Sequence, residues 1–195
     1  MNNIDIIQRC KEGDLDAFNI LFEEYSVKAV RTVYLITGQK DIAEDIAQEA
    51  FIKCFSQIKK LKKAEAFESW FYRLLTRICW RYCSKQKNNL CIDNINDKNT
   101  ISNNSLSDIT EKNEIKHLVD KALDKLSMPL KTTVILYYYN ELSIKEIAHV
   151  LGCFEGTIKS RLHNARNLLK KEFLTENFEG YYFNDNKDVR CNENA

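Results

Sequence analysis

One stretch of the chain, residues 143–166, decides the fold class: SIKEIAHVLGCFEGTIKSRLHNAR. A helix-turn-helix needs a small residue where its two helices touch, a turn residue that tolerates positive φ, and an apolar anchor on the second helix. Ala148, Gly152 and Ile158 supply these three residues at offsets of four and six. The stretch therefore predicts a helix-turn-helix.

The second helix of this motif carries a polar surface that suits DNA. Ile158, Leu162 and Ala165 recur on one side, which we expect to be buried. The remaining faces present hydrogen-bond donors for phosphates and major-groove base edges. The alternative is an amphipathic helix that is merely solvated, and the absence of acidic residues between Glu155 and Glu172 disfavours it. The candidate DNA-binding residues are Thr157, Lys159, Ser160, Arg161, His163, Asn164 and Arg166.

Working outward from this motif, the whole chain predicts an all-α fold. It contains one proline and five glycines, and apolar residues recur at helical spacing almost throughout. Residues 88–111 are rich in Asn, Ser and Asp, which favour turns, so they predict a flexible linker between small helical domains at 1–87 and 112–172. Residues 173–195 follow no period and predict a frayed C-terminal tail. The expected helices are 3–12, 14–37, 41–58, 66–87, 112–126, 129–140, 143–150 and 155–172.

Two of these helices begin with the pattern of a capping box. Asp41 with Glu44, and Ser143 with Glu146, have the spacing at which two side chains satisfy the unpaired amides of a helix N-terminus. We therefore expect both pairs to cap their helices.

The charges of the chain fall into opposed blocks. The formal net charge is only +1, yet residues 1–50 carry net −5 and residues 51–87 carry net +8. A neutral total built in this way indicates one surface for a basic protein partner and another for phosphate.

The basic block contains a ladder of four cations on the helix at 66–87. Arg73, Arg77, Arg81 and Lys85 repeat every four residues, and we call them the basic ladder. Like charges at this spacing repel, so an external polyanion explains the pattern better than a solvated face does. Four further cations, Lys59, Lys60, Lys62 and Lys63, crowd the preceding loop, where they could clamp a single strand. The residues expected to face the core are Phe71, Leu75, Ile78 and Tyr82.

Three aromatic residues lie near the basic ladder. Trp70, Tyr72 and Trp80 could stack on unpaired bases, and core packing is an equally good interpretation of each.

The acidic block contains a helix with an outward acidic and amide patch. Ile42, Ile46 and Ala50 line its buried side. Because the basic block is close in sequence, we expect the patch to point away from it, toward a basic groove on a protein partner. The patch consists of Glu44, Asp45, Gln48 and Glu49.

The sequence offers little for metal, cofactor or catalytic chemistry. Its seven cysteines are dispersed without a CxxC pair, and Cys79 and Cys83 are interpreted as buried thiols rather than metal ligands. The scattered histidines, His117, His149 and His163, give no metal spacing typical of a nuclease. We therefore expect no cofactor, no metal and no enzymatic activity. Without a signal peptide or a long apolar run, we expect a cytoplasmic location without membrane insertion.

Three motifs in order resemble the extracytoplasmic-function (ECF) sigma factors of bacterial RNA polymerase, and the likeness runs from Ile6 to Lys171. Residues 41–51, DIAEDIAQEAF, are similar to the family's polymerase-binding segment. Residues 67–73, FESWFYR, are similar to the start of its minus-ten helix, and residues 155–166, EGTIKSRLHNAR, to its minus-thirty-five recognition helix.

The resemblance implies a subunit that directs core polymerase to promoters and promotes melting. Its acidic patch would bind the β′ clamp helices, the basic ladder and loop lysines the minus-ten strand, and residues 112–172 the minus-thirty-five duplex and the β flap. An anti-sigma factor is a further partner that the family admits. Two departures are Phe154, where the family has a capping residue, and Arg77, where it often has Asn. The rival function is a stand-alone helix-turn-helix regulator, which needs a dimer interface or ligand pocket.

Overall fold

The computed structural model describes residues 3–90 and 111–175, which form helices and short helical turns without a strand. The expected all-α fold is confirmed. Most of the expected linker and tail, residues 91–110 and 176–195, lies outside the described residues. The helices are α1 (Asn3–Glu12), α2 (Leu15–Thr37), α3 (Lys40–Gln57), α4 (Phe67–Leu90), α5 (Glu111–Asp124), α6 (Met128–Val134, continued by a π turn at Ile135–Tyr139), α7 (Ile144–Leu151) and α8 (Glu155–Thr175).

The first four helices pack around an aromatic centre. Phe71 of α4 lies within 5.0 Å of Phe51 on α3 and 5.9 Å of Tyr25 on α2, measured between ring centroids. Distances of this order favour tilted and edge-to-face aromatic contacts. Ala43 and Ala47 are buried on α3, where their small side chains let the neighbouring helices approach. This packing fixes which side of α4 faces outward.

The last four helices form the second half of the molecule. Ala165 of α8 is fully buried beside Leu123 and Leu126. The buried Lys131 ammonium of α6 pairs with Asp124 of α5 at 2.7 Å, so its charge is compensated. These contacts hold α8 against α5 and α6.

The two halves pack against each other along α2 and α4. The Asn140 side-chain amide donates to the Thr32 hydroxyl at 2.8 Å, and both residues are buried. The Trp80 indole donates to the Thr132 hydroxyl at 3.0 Å. Apolar residues from both halves belong to one continuous core cluster. We call this the packed arrangement.

The helix starts bear out one of the two expected capping boxes. Ser143 accepts from the Glu146 amide at 3.3 Å, and the Glu146 carboxylate accepts from the Ser143 amide at 2.8 Å, so this box is confirmed. The prediction of a capping box at Asp41 and Glu44 is wrong. Because α3 begins at Lys40 with Gln39 as its N-cap, Asp41 already lies inside the first turn and makes no cap bond. In that position the Asp41 carboxylate still interacts favourably with the positive end of the helix dipole.

Candidate nucleic-acid interface

The helix-turn-helix has the geometry that the sequence predicts. Gly152 ends α7 with a φ of +66°, and a side chain there would meet no atom within 4 Å, so the backbone conformation alone favours glycine. Ala148 is 8% exposed where α7 meets α8, and Ile158 is fully buried as the anchor. The Phe154 carbonyl accepts from the amides of Thr157 and Ile158 and starts α8. The motif is therefore confirmed.

The polar residues of α8 lie on its accessible side. Leu162 and Ala165 are buried as expected. Most of the candidate DNA-binding side chains are exposed, and two are half-buried, Thr157 and Arg161. The Arg161 guanidinium approaches the Cys153 sulfur at 3.9 Å, which places it under the turn. The exposed candidates are Lys159, Ser160, His163, Asn164 and Arg166.

Tyr138 is a neighbour of α8 that the sequence does not reveal. The Arg166 Nε donates to its hydroxyl at 2.8 Å, and the guanidinium lies 5.8 Å from the centre of its ring. Tyr138 lies in the π turn after α6, so no periodicity links it to α8. The contact orients Arg166 before any ligand binds.

The basic ladder runs along the outer side of α4. Arg77, Arg81 and Lys85 are exposed, whereas Arg73 is half-buried. The core side is as expected for Phe71, Leu75 and Ile78, while Tyr82 is only half-buried. Arg73 and Arg77 line a cavity of about 190 Å³ whose far wall is residues 150–152 of the helix-turn-helix. The upper part of the ladder thus lies at the boundary between the two halves.

Glu49 corrects the expected direction of the acidic patch. One of its carboxylate oxygens lies 2.6 Å from Lys53 and 2.6 Å from Arg81, so Glu49 faces the basic ladder rather than away from it. These hydrogen bonds, first from Lys53 and then from Arg81, hold the pKa of Glu49 below its usual range. Because Glu49 lies on α3, the spacing of charges along α4 does not reveal it as a partner of the basic ladder.

The rest of the acidic patch is open to solvent. Glu44, Asp45 and Gln48 are exposed on α3, while Ile46 and Ala50 behind them are buried. Ile42, also expected on the buried side, is half-buried. Three of the four patch residues are therefore accessible to a partner.

The aromatic residues near the ladder divide between core and boundary. Tyr72 is fully buried and belongs to the core, so it cannot stack on a base in this arrangement. Trp70 is half-buried against the core, and Trp80 bonds to Thr132 across the boundary.

The basic loop projects from a buried anchor. Ile58 and Leu61 are buried, which fixes the backbone between α3 and α4. All four loop lysines, Lys59, Lys60, Lys62 and Lys63, are exposed.

Within residues 3–90 and 111–175, no group of His, Cys, Asp or Glu is arranged to hold a metal ion. None of the helices described is long and apolar enough to cross a membrane.

Comparisons with known proteins agree with this arrangement. Residues 21–96 match the family model of Sigma-70 region 2, and residues 116–169 match that of Sigma-70, region 4. The ECF RNA polymerase sigma factor SigW of Bacillus subtilis is 30% identical over 175 residues, which cover 85% of this chain and 94% of SigW. The chain is an ECF RNA polymerase sigma factor. The ECF sigma-E factor of Escherichia coli K12 is 28% identical and covers 84% of this sigma factor and 90% of its own length.

Solved structures show the same fold. CnrH, solved in complex with the cytosolic domain of CnrY, superposes with a TM-score of 0.67 at 16% identity and covers 90% of this sigma factor and 98% of its own chain. RpoE from Bartonella quintana, solved with the anti-sigma factor NepR, gives a TM-score of 0.62 at 21% identity, with 80% and 98% covered. Region 2 of this sigma factor thus lies on α2–α4, and region 4 on α5–α8.

Proposed function

We propose that this sigma factor divides promoter recognition between its two halves. Residues 1–87 bind the β′ clamp helices and the melted minus-ten strand, and residues 112–172 bind the β flap and the minus-thirty-five duplex. The observation that carries this proposal is the presence of two cationic surfaces, each fixed by a buried scaffold. One is the accessible side of α8, and the other is the basic ladder with its loop.

The exposed part of the acidic patch is the proposed polymerase contact. Glu44, Asp45 and Gln48 offer carboxylate and amide groups on one accessible side of α3. Glu49 has a second role in this proposal, since its bonds to Lys53 and Arg81 tie α3 to the basic ladder. Charge complementarity of this kind directs a basic partner surface to the patch.

Promoter binding requires the halves to separate. Elements centred 10 and 35 base pairs upstream lie roughly 85 Å apart along B-DNA, at about 3.4 Å per base pair. In the packed arrangement α4 and α7 line opposite walls of one cavity. The twenty residues at 91–110 can span at most about 70 Å, so the two halves themselves need to cover only about 15 Å of this distance. Separation also frees Arg73 and Arg77 for the minus-ten strand.

The sigma factor performs no catalytic step, because melting follows from capture of unstacked bases on the basic ladder. It acts in the cytoplasm, where its polymerase partner works. Since a similar fold is solved with the anti-sigma factor NepR, we include an anti-sigma factor among its partners.

A salt titration tests the minus-ten assignment. Each phosphate that a cation neutralises on a single strand adds about 0.7 to the slope of log affinity against log salt. Holoenzyme carrying both Arg77→Ala and Lys85→Ala should therefore bind a single-stranded minus-ten oligonucleotide with a slope lower by about 1.4. The double variant Lys121→Ala with Lys125→Ala, on exposed positions of α5 and the turn after it, is the matched control. An unchanged slope in the ladder variant contradicts the assignment.

A further inference from the structure

Phe154 has no role in the function proposed so far. Its side chain is 87% exposed, the highest value among the large apolar residues whose side chains the structure describes. Single exposed apolar residues are common, so exposure by itself proves nothing. Its position is informative, because Phe154 immediately precedes α8, at the end of that helix that lies next to the turn.

The backbone around Phe154 is fixed. Its carbonyl accepts from Thr157 at 2.9 Å and from Ile158 at 3.2 Å, and the Cys153 amide donates to the Ala148 carbonyl at 3.1 Å. Ala148 and Ile158 already fill the space between α7 and α8. The ring therefore projects from the N-terminal end of α8 and has no place in the core beneath it.

Phe154 lines a surface cavity together with Arg73, His149 and Glu155, and polar residues follow it along α8. Ser160 and Lys159 are exposed on the first turns of α8, and Arg161 is half-buried beside the turn. In helix-turn-helix proteins the N-terminal residues of the second helix reach base edges in the major groove. A polar groove edge suits the serine, lysine and arginine, but the aromatic ring needs an apolar partner. The major groove contains one, the 5-methyl group of thymine.

We propose that Phe154 packs against the 5-methyl group of a thymine in the minus-thirty-five element and so helps to determine promoter specificity. The inference rests on the proposed placement of α8 in that element. A fully buried methyl group contributes a preference for thymine of about fourfold, equivalent to about 0.8 kcal/mol.

The test removes each methyl group without changing base pairing. Holoenzyme formed from the full chain is bound to a promoter duplex in which the thymines of the minus-thirty-five element are replaced one at a time by deoxyuridine. The wild type should show an affinity about fourfold weaker at one position, and Phe154→Ala should show no change there. Alanine is used because serine would add a side-chain cap to α8. Val27→Ala, at a residue 77% exposed on α2, is the control and should keep the wild-type response.

Two results overturn the inference: no position responds to deoxyuridine in the wild type, or Phe154→Ala responds as the wild type does. Binding of an Arg161→Ala holoenzyme to the same duplex distinguishes this failure from a failure of the proposed function. If Arg161→Ala weakens binding while Phe154→Ala leaves it unchanged, α8 binds the element without a Phe154 contact. If neither change has an effect, the placement of α8 is wrong as well.

Discussion

The hydrogen bond between Thr32 and Asn140 provides a way to open the molecule without changing either DNA-binding surface. Thr32 is fully buried on α2, and its hydroxyl accepts from the Asn140 amide at 2.8 Å. Thr32→Val keeps the shape of the side chain but leaves that buried amide without its acceptor. An unsatisfied buried donor costs about 1–3 kcal/mol.

This cost falls on the packed arrangement only, because separation lets water solvate Asn140. The open fraction should therefore rise roughly 5- to 150-fold in Thr32→Val, as long as the open form is still the minority. Affinity of the isolated chain for a single-stranded minus-ten oligonucleotide should rise by the same factor, since apparent affinity scales with the competent fraction. The assay combines that titration with an energy-transfer distance between dyes on the two halves.

Thr37→Val is the matched control for this experiment. The Thr37 hydroxyl donates to the carbonyl four residues earlier at 2.9 Å, as the Thr32 hydroxyl does at 2.7 Å, and it makes no bond to the described residues of the other half. The control should leave both the distance and the affinity unchanged. The reasoning is refuted if Thr32→Val keeps the wild-type distance and affinity, or if Thr37→Val changes them equally.

Three other predictions each concern one site: the acidic patch, Arg161 and Glu68. Asp45→Ala combined with Gln48→Ala should weaken core polymerase binding in a pull-down titration while thermal unfolding stays unchanged; wild-type affinity would remove these residues from the interface. Arg161→Ala should cost about 1–3 kcal/mol on a minus-thirty-five duplex and alter sequence preference if Arg161 reads a base, whereas a uniform loss across sequences would make it a phosphate contact. Burial, together with nearby acids such as Glu146, raises the pKa of Glu68 above its ordinary 4.5. Its ionisation therefore destabilises the fold as pH rises above that value, and Glu68→Gln should gain stability relative to wild type over the same rise in denaturant titrations; a difference that stays constant as pH rises would argue against this.

The sequence was sufficient wherever short-range periodicity decides the structure. Ala148, Gly152 and Ile158 predicted the helix-turn-helix because one turn and two helix faces determine it. The buried side of α4 was predicted for the same reason, since Phe71, Leu75 and Ile78 follow a helical repeat.

The errors and omissions involve contacts between residues that are distant in sequence, or caps that depend on the residue at which a helix starts. Arg81 of α4 contacts Glu49 of α3, which lies 32 positions earlier in the chain, and no rule of helical spacing links the two. Trp80 and Thr132 meet because the halves pack, which the composition of the intervening segment did not indicate. The Asp41 capping box is wrong because α3 begins two residues too early for that side chain to cap it.

Transcription reconstituted from core polymerase across a pool of promoter sequences tests the central claim most directly, with duplex binding by the isolated chain measured in parallel. The isolated chain should bind promoter duplex weakly. Added core polymerase should then initiate from sequences that share both a minus-ten and a minus-thirty-five element. Tight, specific duplex binding by the chain alone, with no initiation that depends on adding it to core polymerase, would contradict the account.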